Sequence, residues 1–321
     1  MRPRYLILLT IVCAIWANDG RLIANAFWQS RDSNYNISIA GPAGFQGPGD
    51  ITSGGIFFVS PGRAYNAAYA AGQNPLADLV DTATGLLTCT EKVGTNGFAD
   101  LTTAYCPTAS PTTNVVTWCT VTVGGCSITK LYDQTGTGNH VVQATLANMP
   151  ALTFNAQNGL PCAAGGSNSP RLVTAGNIVQ VLPFTMGGVA MRGSGFTTVQ
   201  TIQSNANANF LRFAASANQV TAASSTPVNL TAADSSFHAL LAVVSATAPL
   251  FAVDSSANTS TSTSGTTTTS STEGIVGRNT GANPLLAGGF VCEDWIYPAD
   301  LNSSYQAMLA NMRSATNGWN F

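Results

Sequence analysis

Charge is what this chain has least of. Only 8% of its 321 residues are Asp, Glu, Lys or Arg, against about 25% in an average soluble domain. The net charge is −2 and the 12 basic residues are scattered, so the basic footprint of a nucleic-acid binder is missing. Histidine occurs twice, and no Cys/His spacing matches a zinc site. There is no P-loop, no dinucleotide fingerprint and no Ser nucleophile elbow. No Asp/Asn cluster has calcium-loop spacing. The expectation is a protein with no metal and no cofactor. A membrane-spanning run is also lacking. The apolar stretch "LILLTIVCAIWA" (6–17) has twelve residues, short of the roughly 20 that a spanning helix needs.

What is present points outward from the cell. Two arginines, that apolar stretch and the small-x-small triplet Ala24-Asn25-Ala26 read as a signal peptide over 1–26. A secreted or extracytoplasmic mature chain with no membrane span follows. Six cysteines remain beyond it: Cys89, Cys106, Cys119, Cys126, Cys162 and Cys292. An even number in an exported chain suggests disulfides, with 15 possible pairings. Short-range closure within 106–126, or between Cys119 and Cys126, is preferred. Residues 27–54 are rich in Gly, Asn, Ser and Pro and read as an extended leader.

The rest, 55–321, reads as one domain. "RAYNAAYA" suits one or two helical turns, while "LADLVDTAT" and "SITKLYD" suit strands. From residue 150 onward, ten short strand-like runs are separated by Gly/Asn/Ser/Pro turns, among them "FTMGGVAMRG", "HALLAVVSA" and "GFVCEDWIYP". That rhythm predicts an all-β fold, an antiparallel β-sandwich of the concanavalin-like jelly-roll kind. A short closing helix is expected in 303–319, with Tyr305, Met308, Leu309 and Met312 on one face. The Ser/Thr-rich stretch 255–272 is a loop or a Thr-rich hairpin.

Candidate site residues are carboxylates and aromatics. Glu293 and Asp294 lie in one strand and point to opposite faces, with Trp295 on the side of Glu293. A carboxylate beside an aromatic ring suits a sugar, the one accepting hydroxyl hydrogen bonds and the other stacking on C–H groups. Against that stands an ion pair of such a strand residue with an arginine such as Arg313 or Arg278. Glu273 is a possible catalytic acid or a strand-start residue. Asp133, in "KLYDQTGTGNHVVQAT", is either a sugar-hydroxyl acceptor or a carboxylate that caps the backbone N–H groups of its Gly-rich turn.

Four stretches carry a resemblance: "RAYNAAYA", "GFADLTTAYC", "CSITKLYDQTGTGNHVVQAT" and "NGLPC". In that order they resemble the N-terminal half of the catalytic domain of α-L-arabinofuranosidase B, glycoside hydrolase family 54. The C-terminal half has the rhythm of concanavalin-like and laminin-G-like sandwiches. The resemblance implies retaining hydrolysis of terminal arabinofuranosyl groups on arabinose-containing polysaccharide, by a nucleophile and a general acid/base. The family's mid-domain Glu is not matched, because no Glu lies between Glu91 and Glu273; the comparable stretch offers Gln200 and Gln203. Arg278 and Asn279 stand where the family has its acid/base Asp. The expected catalytic residues are therefore Glu293 and Glu273, with Asp133, Trp295 and Asp294 binding substrate. The expected partner is a polysaccharide or other glycan. The alternative is a non-catalytic lectin-like or surface protein that kept the sandwich.

Overall fold

A computed structural model describes residues 44–321, except 104, 107–112, 194–197, 206–208, 216–218, 224–227, 232–234, 248, 260–268, 279 and 281. The expected signal peptide, most of the leader and the centre of the Ser/Thr-rich stretch lie outside the described residues. The described part belongs to one compact unit, 42–321.

It is built from strands. The first are β1 (Phe57–Val59), β2 (Pro75–Asp81), β3 (Thr88–Lys92), β4 (Cys126–Leu131) and β5 (Val141–Val142). Next come β6 (Ala151–Gln157), β7 (Leu160–Ala164), β8 (Leu172–Thr174), β9 (Ile178–Gln180) and β10 (Phe184–Met191). Then follow β11 (Gln200–Asn205), β12 (Phe210–Phe213), β13 (Gln219–Ala223), β14 (Val228–Thr231) and β15 (Phe237–Val244). The last are β16 (Leu250–Val253), β17 (Ser256–Thr259), β18 (Thr269–Ser271), β19 (Glu273–Ile275) and β20 (Phe290–Tyr297). Among the described residues, four short α-helices accompany them: α1 (Pro48–Ile51), α2 (Ala67–Ala71), α3 (Val115–Thr117) and α4 (Tyr305–Arg313). All ten runs predicted after residue 150 become strands, and the closing helix is α4.

Every pairing is antiparallel. One run follows β14-β13-β12-β11-β19-β8-β5-β4-β2-β3. The other follows β6-β7-β20-β10-β15-β16-β17, with β1 beside β7 on the same flank of β20. A single β4–β6 pairing, Ser127 with Ala151, joins the two. The flanks of the Ser/Thr-rich stretch do not form a hairpin with each other: β17 pairs β16 and β18 pairs β9.

Two apolar layers result. The larger lies between the runs and holds Phe57, Ile128, Leu172, Leu211 and Ile275 together with Phe184, Met186, Phe251 and Ile296. The second lies behind β10, β15 and β20. There Leu241, Val243, Trp295 and Tyr297 meet Met308, Leu309 and Met312 of α4, and Trp319. Strands covered on both sides need apolar residues at every position. Hence β15 reads "FHALLAVV" and β10 reads "FTMGGVAM" without alternation. The paired glycines of β10 are close-approach positions. A Cβ on Gly187 would sit 2.3 Å from the Trp295 ring, and one on Gly188 2.2 Å from the Glu293 carbonyl oxygen.

Three disulfides join Cys89 to Cys106, Cys119 to Cys126 and Cys162 to Cys292. The expected Cys119–Cys126 closure forms. Cys106 does not close within 106–126 but reaches back to Cys89 on β3, next to the backbone contact of the Thr90 N–H with the Tyr105 carbonyl (3.5 Å). Residues 44–54 are fastened down as well: the N–H of Gly49 donates to the Tyr65 carbonyl (2.8 Å) and the Asn311 amide to the Gln46 carbonyl (2.7 Å).

Candidate active site

β20 is buried on both faces, so its consecutive acids Glu293 and Asp294 enter different layers. Glu293 enters the α4 layer, where everything around it is a partner. Arg63 donates through Nε to Oε2 (2.5 Å) and through Nη2 to Oε1 (2.9 Å), and Trp319 Nε1 donates to Oε2 (2.7 Å). Arg63 Nη1 also donates to Asn311 Oδ1 and the Asn317 carbonyl. The partner is thus Arg63, not Arg313 or Arg278. The side chains of Arg63 and Glu293 are both fully buried, and the pair ties the C-terminal segment to the sheet.

Asp294 enters the layer between the runs. Its lateral neighbours are Gly188 on β10 and Val59 on β1. Glu273, on β19 of the opposite run, occupies the same layer as Ile275, two residues on. Both carboxyls are fully buried. Neither oxygen of Asp294 has a hydrogen-bond partner among the described residues, and Oε1 of Glu273 has none either. Desolvation pushes the Glu273 carboxyl well above the usual range. The same cause raises Asp294 and the charge of Glu273 pushes it further; the nearby Trp295 N–H opposes this, and the charge of Glu293 adds a smaller push upward. The charge of Glu273 therefore acts on Asp294, and burial leaves neither carboxyl exposed to solvent that would support it as an anion.

Amides surround Glu273. Gln180 Nε2 donates to its Oε2 (3.3 Å), while Asn205 and Asn209 donate to Gln180 Oε1 (2.9 and 2.6 Å). Asn205 is the register partner of Glu273, and Gln203 that of Ile275, so both glutamine and asparagine lie on the inward face of β11. The Gln203 amide is buried with no hydrogen-bond partner on either atom. Glu273 is held from behind as its backbone N–H donates to Thr174 Oγ1 (2.8 Å). The amides of β9 and β11 were not singled out from the sequence. Their runs, "IVQ" and "QTIQSN", show ordinary polar residues, and only the sheet order gathers them around one carboxyl.

The remaining predicted residues lie apart from this group. Asp133 is buried in its turn. Its Oδ1 accepts from the N–H of Phe58 and from the N–H and hydroxyl of Thr135. Its Oδ2 accepts from the Thr137 hydroxyl and the Asn139 N–H. Its own N–H donates to His140 Nδ1 (2.9 Å). Burial and the Lys130 charge push the His140 imidazole below its usual range, which keeps it the neutral acceptor this bond requires. Trp295 is fully buried, edge-on to Tyr297 at 5.6 Å. Glu293 and Glu273 occupy different layers and are not brought together; Asp294 is the carboxyl that shares the layer of Glu273.

No family model matches the chain, and no curated protein matches it. Solved structures do. A GH54 α-L-arabinofuranosidase soaked with a cyclic sulfate inhibitor superposes with TM-score 0.59 at 17% identity, over 84% of this chain and 66% of that one. An arabinofuranosidase complexed with arabinofuranosyl-α-1,2-xylobiose gives 0.56 at 15% identity, over 84% and 65%. A Glu-to-Gln variant soaked with 4-nitrophenyl α-L-arabinofuranoside gives 0.57 at 15% identity, over 84% and 66%. The chain spans just under two thirds of the length of the arabinofuranosidases it matches. The protein is an antiparallel β-sandwich with the fold of the GH54 arabinofuranosidases.

Proposed function

We propose that the chain is an exported carbohydrate-active protein of the glycoside hydrolase type, acting on arabinofuranosyl-bearing polysaccharide through Glu273 and Asp294. One observation carries the reading: two buried carboxyls from opposite runs share one layer and hold oxygens without a hydrogen-bond partner among the described residues, and the charge of Glu273 adds to burial in raising Asp294. Buried polar groups are normally satisfied, and paired carboxyls of perturbed pKa mark functional sites. Asp294, raised by burial and by two neighbouring carboxylates, holds the proton and is the acid. It protonates the leaving glycosidic oxygen. Glu273, steadied by Gln180, acts once solvent entering the opened site has taken its proton; as the carboxylate it attacks the anomeric carbon through Oε1 and forms a glycosyl ester. Asp294, now a carboxylate, takes a proton from water, which cleaves that ester and releases the sugar with retained configuration. Glu293, Asp133 and Trp295 act as braces, since their polar atoms or faces are taken up inside the fold. Both carboxyls are enclosed, so turnover requires the two runs to part near β19 and β20. Residues 1–26 are the export signal, 27–54 the leader and 55–321 the catalytic sandwich; three disulfides suit an oxidising compartment.

The test is hydrolysis of 4-nitrophenyl α-L-arabinofuranoside by residues 27–321 beside the Glu273→Gln and Asp294→Asn variants. A drop of about 10²–10⁴-fold is expected from removing either acid–base group. Equal rates in all three proteins would remove the assignment. A second reading rests on Gln203, an amide on the inward face of a mid-chain strand that has no carboxylate: a glycan-binding protein without turnover. A folded, inactive wild type that binds arabinan or arabinoxylan would select it.

A further inference from the structure

Away from the carboxyls, the loop 94–102 and the β6–β7 hairpin enclose an open cleft of about 530 Å³. This falls within the roughly 300–1,000 Å³ of ligand sites. Asn96, Thr95, Asp100 and Thr102 line one side and Asn158 the other, with Phe98 and Leu160 as apolar lining. No lysine or arginine lines it. None of the lining residues belongs to β11, β19 or β20.

The walls are fixed before any ligand arrives. The N–H of Gly94 donates to the Phe98 carbonyl (2.7 Å), that of Ala99 to Gly62 (3.0 Å), and that of Phe98 to Asn96 Oδ1 (3.1 Å). Phe98 lies edge-on to Phe45 at 5.5 Å. A Cβ at Gly97 would meet the Phe45 ring at 2.1 Å. On the other side, Asn158 and Gly159 have φ of 52° and 75° between the paired residues Gln157 and Leu160. Such a two-residue hairpin turn is rigid and matches the strand twist. Asp100 spends Oδ1 on Thr102 and Thr103, whereas the contact to Oδ2 among the described residues is a long 3.5 Å one from the Tyr105 hydroxyl. Against desolvation, the hydroxyls of Thr102 and Thr103, joined by their N–H groups, hold Asp100 below the usual carboxylate range, so Oδ2 is an anionic acceptor facing neutral amides and hydroxyls.

We infer that this cleft is a second, surface site that binds a neutral oligosaccharide, with hydroxyls donating to Asp100 and exchanging hydrogen bonds with Asn96, Asn158, Thr95 and Thr102. One carboxylate with no cation rejects phosphorylated, sulfated or uronic ligands. The amides and hydroxyls, both donor and acceptor, suit sugar hydroxyls. Phe98 and Leu160 offer apolar area to the C–H face of a ring.

The test is calorimetric titration of residues 27–321 with neutral xylan-, arabinan- and glucan-derived oligosaccharides, and with polygalacturonate oligomers. It is run on the wild type, Thr95→Trp, Asn158→Gly and Glu273→Gln. Thr95 is exposed, so its tryptophan fills the cleft without disturbing the core; glycine at 158 keeps the turn and removes the amide. The expected result is saturable binding of a neutral oligosaccharide. It weakens tenfold or more in the two cleft variants, is unchanged in Glu273→Gln, and is absent for polygalacturonate. Equal affinity of the cleft variants and wild type, preference for the anionic oligomer, or no binding of any neutral oligosaccharide would overturn the proposal. A wild type that binds at the cleft but hydrolyses no arabinofuranoside would overturn the catalytic reading and leave the cleft standing.

Discussion

At the scale of single residues, the chain separates two glutamates that look alike in sequence. Glu293 has partners for both oxygens; Glu273 has a partner for one. A buried cation left without its counter-charge is far more costly than the intact pair is beneficial. Arg63→Ala and Glu293→Gln should each lower stability by about 3–5 kcal/mol, read from the urea midpoint. Glu293→Gln that abolished hydrolysis at unchanged stability would show that Glu293 is chemical after all. Strand alternation told from sequence that Glu293 and Asp294 part company and that Trp295 goes with Glu293. It did not tell which layer receives which, because the outer cover of β20 is α4 and the partner of Glu293 is Arg63, 230 residues away. An arginine in "SPGRAYN" carries no mark of that pairing.

At the scale of elements, local pattern carried far. Short apolar runs between turn residues located the later strands, and the apolar spacing of Met308, Leu309 and Met312 located α4. The strands that escaped notice have reasons. β7 contains Pro161, which offers no N–H to a ladder, and β5 has two residues. Disulfide pairing beyond a short loop is set by sheet order, not by spacing. Cys162 and Cys292 are 130 residues apart and meet only because β7 pairs β20. Loop-closure entropy makes that bridge the strongest. Replacing both cysteines by Ala should cost about 5 kcal/mol for Cys162–Cys292 and only about 2 for Cys119–Cys126. Thermal melts of the two double variants would rank them; the reverse order would mean that native packing, not chain entropy, governs these bridges.

At the scale of the whole molecule, a chain with little charge has three carboxyls that are fully buried with no counter-ion among the described residues. Glu91 joins Glu273 and Asp294: it is fully buried, neither oxygen has a partner, and desolvation raises it well above the usual range. Each holds its proton to higher pH in the folded chain than in the unfolded one. Stability is therefore full below the ordinary carboxylate range and falls as pH rises through it, by up to about 1.4 kcal/mol per pH unit for each group. Asp81 has the opposite sign. Hydrogen bonds from Leu87, Thr84 and Leu86 pull it down to about 2, so its contribution is lost as pH falls toward that value. Stability should peak at about pH 4, and Glu91→Gln should flatten the alkaline limb. Denaturation series from pH 3 to 8 would show this; a maximum near neutrality would contradict it.

The central claim, that Glu273 and Asp294 form a nucleophile and acid pair, is most directly tested by trapping. The folded chain is incubated with an arabinofuranose-configured cyclic sulfate, and the adduct is mapped by peptide mass spectrometry. The account predicts one equivalent on Glu273, slowed strongly in Asp294→Asn. An adduct on Glu293 or Asp133, or none on a chain that hydrolyses the arabinofuranoside, would contradict it.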